Sequence, residues 1–252
     1  MTKTIAISGK GGSGKTTVAA MMTRFVGRVC RKSTLAVDAD PNACLGLALG
    51  IEPARTVADI RDDAVEKRLQ VSPGMSKMRA FEYGIQQLVE ESQGFDLLTM
   101  GRPEGPKCYC AANNMLRSYL DSLGDSYEFV VIDNEAGMEH LSRTTTNDVD
   151  WLYIISEPTP MGTLTARRIA ALAHSLPILV AHIGVLWNKV DSRGAPQAEE
   201  GLPVAGEIPY DESVAEACQK GHTVFQLPDD NAALVAVCEV VSKNLGVCAA
   251  QV

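Results

Sequence analysis

Short runs of apolar, often β-branched residues alternate along the chain with stretches of helical spacing, and several runs end at glycine or aspartate. Thr4–Ser8 reads as a first strand, followed by glycines between Gly9 and Gly14. Lys15–Val29 shows helical spacing, with Val18, Met22 and Val26 on one face. Ser33–Val37 is a second strand ending at Asp38, and Phe95–Met100 a third, followed by Gly101 and two prolines. Asn113–Leu123 aligns Leu116, Leu120 and Leu123 as a helix. Phe129–Ile132 runs into Asp133, and Trp151–Ile155 leads to Glu157-Pro158. Thr163–His174 is helical, Ile183–Trp187 and Pro203–Ile208 are late strands, and Asn231–Asn244 is a closing amphipathic helix. Continuous apolar strands alternating with helices predict an α/β fold: a mainly parallel sheet buried under helices on both faces. Residues 51–94 are the least regular part, charged, and expected to form helices and loops along one edge. With no low-complexity linker and no repeat of fixed period, residues 1–252 are read as one domain.

Composition narrows the function classes. At 46% hydrophobic and 21% charged the chain has ample surface to bury, so disorder is excluded. Aromatics are only 5%, which suits small-residue helices on parallel strands better than a β-sandwich. A net charge of -8 argues against broad nucleic-acid binding. No apolar run is long enough to span a bilayer, and the first strand begins too early for a signal peptide, so a cytoplasmic protein is expected. Seven cysteines are the odd feature, because clustered cytosolic thiols bind metal or do redox chemistry more often than they pair.

The segment Gly9-Lys10-Gly11-Gly12-Ser13-Gly14-Lys15-Thr16-Thr17 matches G-x-x-x-x-G-K-[ST], after a strand and before a helix, as the motif requires. Its glycines let backbone N–H groups turn inward around phosphate oxygens, and the helix N-terminus adds positive dipole. Lys15 is the residue to reach the β- and γ-phosphates, and the Thr16 hydroxyl is a Mg²⁺ ligand. With Lys10 the loop reads K-G-G-x-G-K-T-T, which resembles the deviant Walker A loop of the cell-division-inhibitor, plasmid-partitioning and nitrogenase-iron-protein ATPases. That resemblance implies a P-loop ATPase domain in which Lys10 contacts ATP across a dimer interface and Lys15 contacts it in cis. It also implies that Asp38, in Val37-Asp38-Ala39-Asp40-Pro41, is a Mg²⁺-linked switch residue, and that Asp40 orients or activates attacking water. Asp133, opening D-x-x-x-G, takes the place of the Walker B carboxylate, and Gly137 that of a γ-phosphate sensor. Trp187-Asn188-Lys189-Val190-Asp191 resembles N-K-x-D, and Ile208-Pro209-Tyr210-Asp211 resembles the group's second base-contacting loop. N-K-x-D alone suggests guanine. The group context favours ATP, with Asn188, Lys189 and Pro209 at the base.

Cys108-Tyr109-Cys110 supplies two thiolates, half of a tetrahedral site, and a symmetric dimer supplies the other half. Together with Gly137-Met138-Glu139-His140-Leu141-Ser142-Arg143 and the deviant loop, this segment resembles the CooC family of nickel-insertion ATPases. The resemblance implies a nucleotide-dependent homodimer, Ni²⁺ or Zn²⁺ held between subunits by Cys108 and Cys110, and a carbon monoxide dehydrogenase or acetyl-CoA synthase as client. Asn134-Glu135 departs from the smaller residues of common members, which leaves the client open. His140 is read as a structural histidine in preference to a ligand. Two other readings stay open: an ATPase carrying an intersubunit iron–sulfur cluster, and a positioning ATPase acting on membranes or DNA. The C-x-C spacing tells against the first, and a C-terminal segment with Lys243 as its one basic residue tells against the second.

Overall fold

The computed structural model describes residues 2–65, 83–102, 126–135, 148–175, 178–196 and 201–247. The element order is β1 (Lys3–Gly9), α1 (Lys15–Thr23) running into a π-helical segment Arg24–Val29, β2 (Thr34–Ala39), α2 (Leu45–Leu49), α3 (Val57–Val65), β3 (Glu90–Ser92) and β4 (Phe95–Thr99). There follow β5 (Phe129–Asn134), β6 (Asp148–Ser156), α4 (Pro160–Ser175), β7 (Leu179–Val190), β8 (Val204–Pro209), α5 (Glu212–Gln219), a 3₁₀ turn Val224–Gln226 and α6 (Ala232–Leu245). Among the described residues the strands form one eight-stranded sheet in the order β3-β4-β2-β5-β1-β6-β7-β8. Every pairing is parallel except the edge hairpin β3–β4.

Strand alternation divides the core between the two faces. Ile5 and Ile7 point to a layer with Val18, Met22 and Phe25 of the α1 region and with Leu234, Val237 and Val241 of α6. Ala6 points the other way, where Leu152, Ile154 and Trp187 meet Ala166 and Ile169 of α4. Leu35, Val37, Leu98 and Ile132 meet Ile60 of α3 on the remaining part of the sheet. Each fully buried large aliphatic side chain in these layers contributes about 1.5–3 kcal/mol.

Three expectations are modified. The predicted helix Lys15–Val29 is α-helical only to Thr23 and then widens into π geometry, with Cys30 N–H donating to the Phe25 carbonyl at 2.9 Å. Gly27 permits this course: a Cβ there would lie 2.3 Å from the Gly94 carbonyl oxygen. The irregular stretch contains a strand, β3, beyond the helices and loops expected there. Helices α2 and α5 went unpredicted because each is under three turns. The predicted helix Asn113–Leu123 lies outside the described residues.

One buried cation links distant segments. The Arg24 guanidinium, on the α1 extension, donates to the carbonyls of Val224 and Leu227 and to Asp229 Oδ1. Asn231 then caps α6 by accepting from the Leu234 N–H at 3.0 Å. No helix among the described residues is long and apolar enough to cross a membrane.

Candidate nucleotide site

Parallel pairing brings the C-terminal ends of β1, β2 and β5 together, with Ile7 and Asp38 each in register with Asp133. Open parallel sheets present ligand sites at that edge. The loop after β1 is shaped by glycine at Gly14, which opens α1 with φ +93° and ψ +20°. A side chain there is strained by the backbone, and its Cβ would stand 2.4 Å from Asn188 Nδ2.

The loop is closed on itself. Ser13 N–H and Oγ both donate to the Lys10 carbonyl, at 3.2 and 2.8 Å. Lys15 is buried, and its ammonium reaches the same carbonyl only at 3.5 Å. A contact that long is weak, so a phosphate oxygen is the stronger partner for this cation. Lys10, Gly11 and Gly12 are exposed along the crest. Thr16 and Thr17 are half-buried on the first turn of α1.

Beneath the loop lie two carboxylates. Asp38 is fully buried; its Oδ2 accepts the Leu45 N–H at 2.8 Å and its Oδ1 the Asp40 N–H at 3.2 Å. Burial and the neighbouring Asp133 push its pKa up to about 7. Asp133 is 1% exposed, and neither of its oxygens has a hydrogen bond of good geometry among the described residues. Burial raises its pKa to about 6, opposed by the nearby Thr16 hydroxyl and Lys15 ammonium. Buried carboxylates side by side without a full countercharge are costly, and a divalent cation removes that cost. The residues therefore fit Mg²⁺, with Thr16 and Asp38 as holders and Asp133 acting beside them. Among the described residues no group of three or more His, Cys, Asp and Glu is placed to hold a metal ion. Asp40 is half-buried at the rim, where its Oδ1 accepts from both Asn42 nitrogens at 2.9 Å.

The loop continues into a cavity of about 310 Å³ lined by Gly12, Gly14, Asn188, Lys189, Pro209 and Tyr210, with apolar walls from Val18, Met21 and Ile208. This size and lining suit a planar heterocycle. A larger cleft of about 670 Å³ lies between the N-terminal ends of β2 and β4, at the opposite sheet edge from the phosphate loop. The smaller cavity is the candidate base site, because it adjoins the loop.

The base-site residues also brace the phosphate loop. Asn188 Nδ2 donates to the Ser13 carbonyl at 2.8 Å, while its Oδ1 accepts the Lys189 N–H. Lys189 adopts φ +58°, an uncommon conformation for a lysine, and its ammonium bridges the Gly12 carbonyl at 3.1 Å and Glu157 Oε1 at 2.6 Å. Glu157, which sequence reasoning left without a role, ties the end of β6 to the loop through Lys189. Its only sequence signal was its place just past a strand's C-terminal end. Cys108, Cys110, Gly137 and His140 lie outside the described residues. Cys30 and Cys238 are buried, whereas Cys44 and Cys218 are exposed.

Residues 4–224 match the family described as the CobQ/CobB/MinD/ParA nucleotide binding domain. The chain belongs to that family. It is 40% identical over 250 residues to an ATP-binding protein of Methanocaldococcus jannaschii, covering 95% of this chain and 97% of that protein. It is 31% identical over 236 residues to the carbon monoxide dehydrogenase accessory protein CooC of Rhodospirillum rubrum, covering 88% and 89%. Among solved structures, the septum site-determining protein MinD of Pyrococcus horikoshii, complexed with Mg-ADP, superposes with a TM-score of 0.71 at 20% identity over the full length of both chains. The chain is thus a P-loop ATPase with the MinD-like fold, and ATP and Mg²⁺ are the ligands expected of its family.

Proposed function

We propose that this ATPase is a CooC-type metallochaperone, which binds and hydrolyses ATP as a nucleotide-dependent homodimer and delivers nickel to a carbon monoxide dehydrogenase or acetyl-CoA synthase. The geometric observation that carries the nucleotide half is the buried Asp38–Asp133 pair under a loop whose Lys15 ammonium makes only one long hydrogen bond among the described residues. In this reading Lys15, Thr16, Thr17 and the loop N–H groups of Gly11–Gly14 take the phosphates, and Lys10 reaches the partner's nucleotide. Bound Mg²⁺ supplies charge neutralisation at the β- and γ-phosphates. Asp40 orients the attacking water and Gly137 senses the γ-phosphate. Asn188, Lys189 and Pro209 frame the base.

The metal half rests on Cys108 and Cys110 and on the 31% identity to CooC. Two thiolates from each subunit complete a four-sulfur site for Ni²⁺ or Zn²⁺. ATP drives delivery only if metal affinity differs between the two dimer states. Metal analysis and gel filtration of the purified chain, with and without ATP, test this directly. One metal per dimer, altered by ATP and lost in the Cys108→Ser/Cys110→Ser double variant, is expected. Full metal retention by that variant overturns the metal half. ATP-dependent cosedimentation with vesicles or DNA, without bound metal, replaces it with a positioning role.

A further inference from the structure

One aspartate, Asp211, lines the base cavity and a second, Asp191, lies two residues beyond the lining Lys189; each already accepts several hydrogen bonds. Asp211 lines the cavity, but its Oδ1 accepts from Ser213 N, Ser213 Oγ and Val214 N, and its Oδ2 accepts from Asn231 Nδ2 at 2.9 Å. Asp191 follows the last residue of β7, beside the cavity rim, where the Tyr210 N–H donates to the Val190 carbonyl at 2.8 Å. It is not one of the cavity's lining residues, and its carboxylate is engaged elsewhere. Arg193 holds it from three sides: the backbone N–H and Nε reach Oδ1 at 2.9 and 3.1 Å, and Nε and Nη2 reach Oδ2. The Asp191 carbonyl closes the same turn by accepting the Gly194 N–H at 3.0 Å.

This arrangement matters because the two purines differ on one edge. Guanine presents two donors, N1–H and the exocyclic amino group, which a carboxylate accepts in pairs. Adenine presents an acceptor at N1, which a carboxylate repels. A site offering a free carboxylate at this rim therefore selects guanine, and one that withholds it removes guanine's main partner.

We infer that Arg193 is a specificity-determining residue, which excludes guanine nucleotides by sequestering Asp191 from the rim of the base cavity. The inference rests on the ATP reading above and adds the residue that enforces it. Its reach is set by an ion pair exposed to solvent, with side chains 87% and 43% accessible. Arg193 also holds the Asp191 carboxyl well below the usual range, down to about 2, so the acid is charged at physiological pH.

Equilibrium binding of Mg-ATP and Mg-GTP to the full chain tests the inference, in the unaltered protein, in Arg193→Ala and in Arg193→Ala/Asp191→Ala. ATP binding by the unaltered protein tests the parent reading alone. Arg193→Ala is expected to narrow the ATP-to-GTP affinity ratio about fivefold, the factor set by the upper range of an exposed ion pair, through a gain in GTP binding. The double variant is expected to return to the original ratio. An unchanged ratio in Arg193→Ala with ATP binding intact overturns the inference and leaves the ATP reading standing. A gain that survives in the double variant also overturns it, because Asp191 is then not the acceptor.

Discussion

The two ends of the nucleotide groove treat acidic side chains in opposite ways. Among the described residues, Asp133 at the phosphate end is buried with no well-formed hydrogen bond, and Asp38 has backbone N–H partners but no ion-pair partner. At the base end, Asp191 and Asp211 are each satisfied several times over by neighbours. Both pairs lie at the C-terminal edge of the same sheet, Asp38 and Asp133 within the last two residues of β2 and β5 and Asp191 and Asp211 just past β7 and β8, so position in the fold does not separate them. Their partners do. Acids left short of positive charge mark where a cation is to arrive, and acids fully paired mark where an uncharged ring is to lie.

The strongest way to break this contrast is to remove the loop that roofs the phosphate end. Gly14→Ala forces a side chain into a left-handed position and against Asn188. ATP turnover, followed by phosphate release, is expected to fall at least about 100-fold, since a misplacement of about 1 Å costs that much in rate. Asp133→Asn keeps the shape and removes the charge. ATP turnover, measured by phosphate release, is expected to drop about 10²–10³-fold, with the folded state retained.

Asp38→Asn sharpens the contrast through stability in the absence of nucleotide. The folded pKa of Asp38 is raised from 3.8 to about 7, so the folded chain holds a proton that the unfolded chain has released. Stability therefore falls as pH rises from about 4 through about 7. The asparagine variant lacks that loss, and its advantage in thermal unfolding is expected to grow across this window and then level off. An advantage independent of pH contradicts the assignment.

Smaller effects are expected where charges are already paired. Glu157→Gln weakens the Lys189 bridge, whose two side chains are each 43% accessible. KM for ATP is expected to rise about three- to fivefold with kcat unchanged. Asp211→Ala removes the N-cap of α5 and is expected to cost about 1 kcal/mol of stability in a denaturant titration.

The sheet was legible because its strands are continuous apolar runs ending in Gly9, Asp38 and Asp133, a pattern that buried parallel strands require. Phosphate-loop residues were equally legible, because only glycine tolerates the turn at Gly14 and the spacing is rigid. The π-helical segment was not, because it depends on Gly94, a contact far away in sequence. The Lys189–Glu157 bridge was hidden for the same reason: sequence shows a lysine in a base-reading motif, while its ammonium turns to the Gly12 carbonyl. Asp191 matched a guanine-reading pattern, and only the Arg193 contacts show that the acid is occupied.

The buried Arg24 cluster has a mechanical consequence. It joins the helix that starts at the phosphate loop to the segment that leads into α6, and α6 packs against β8, whose end borders the base cavity. Loop and cavity are thus linked through one buried cation and the packing of α6. A displacement of the phosphate loop is therefore passed through α1 and Arg24 to α6 and the base cavity, so the two ends of the groove respond to a ligand together.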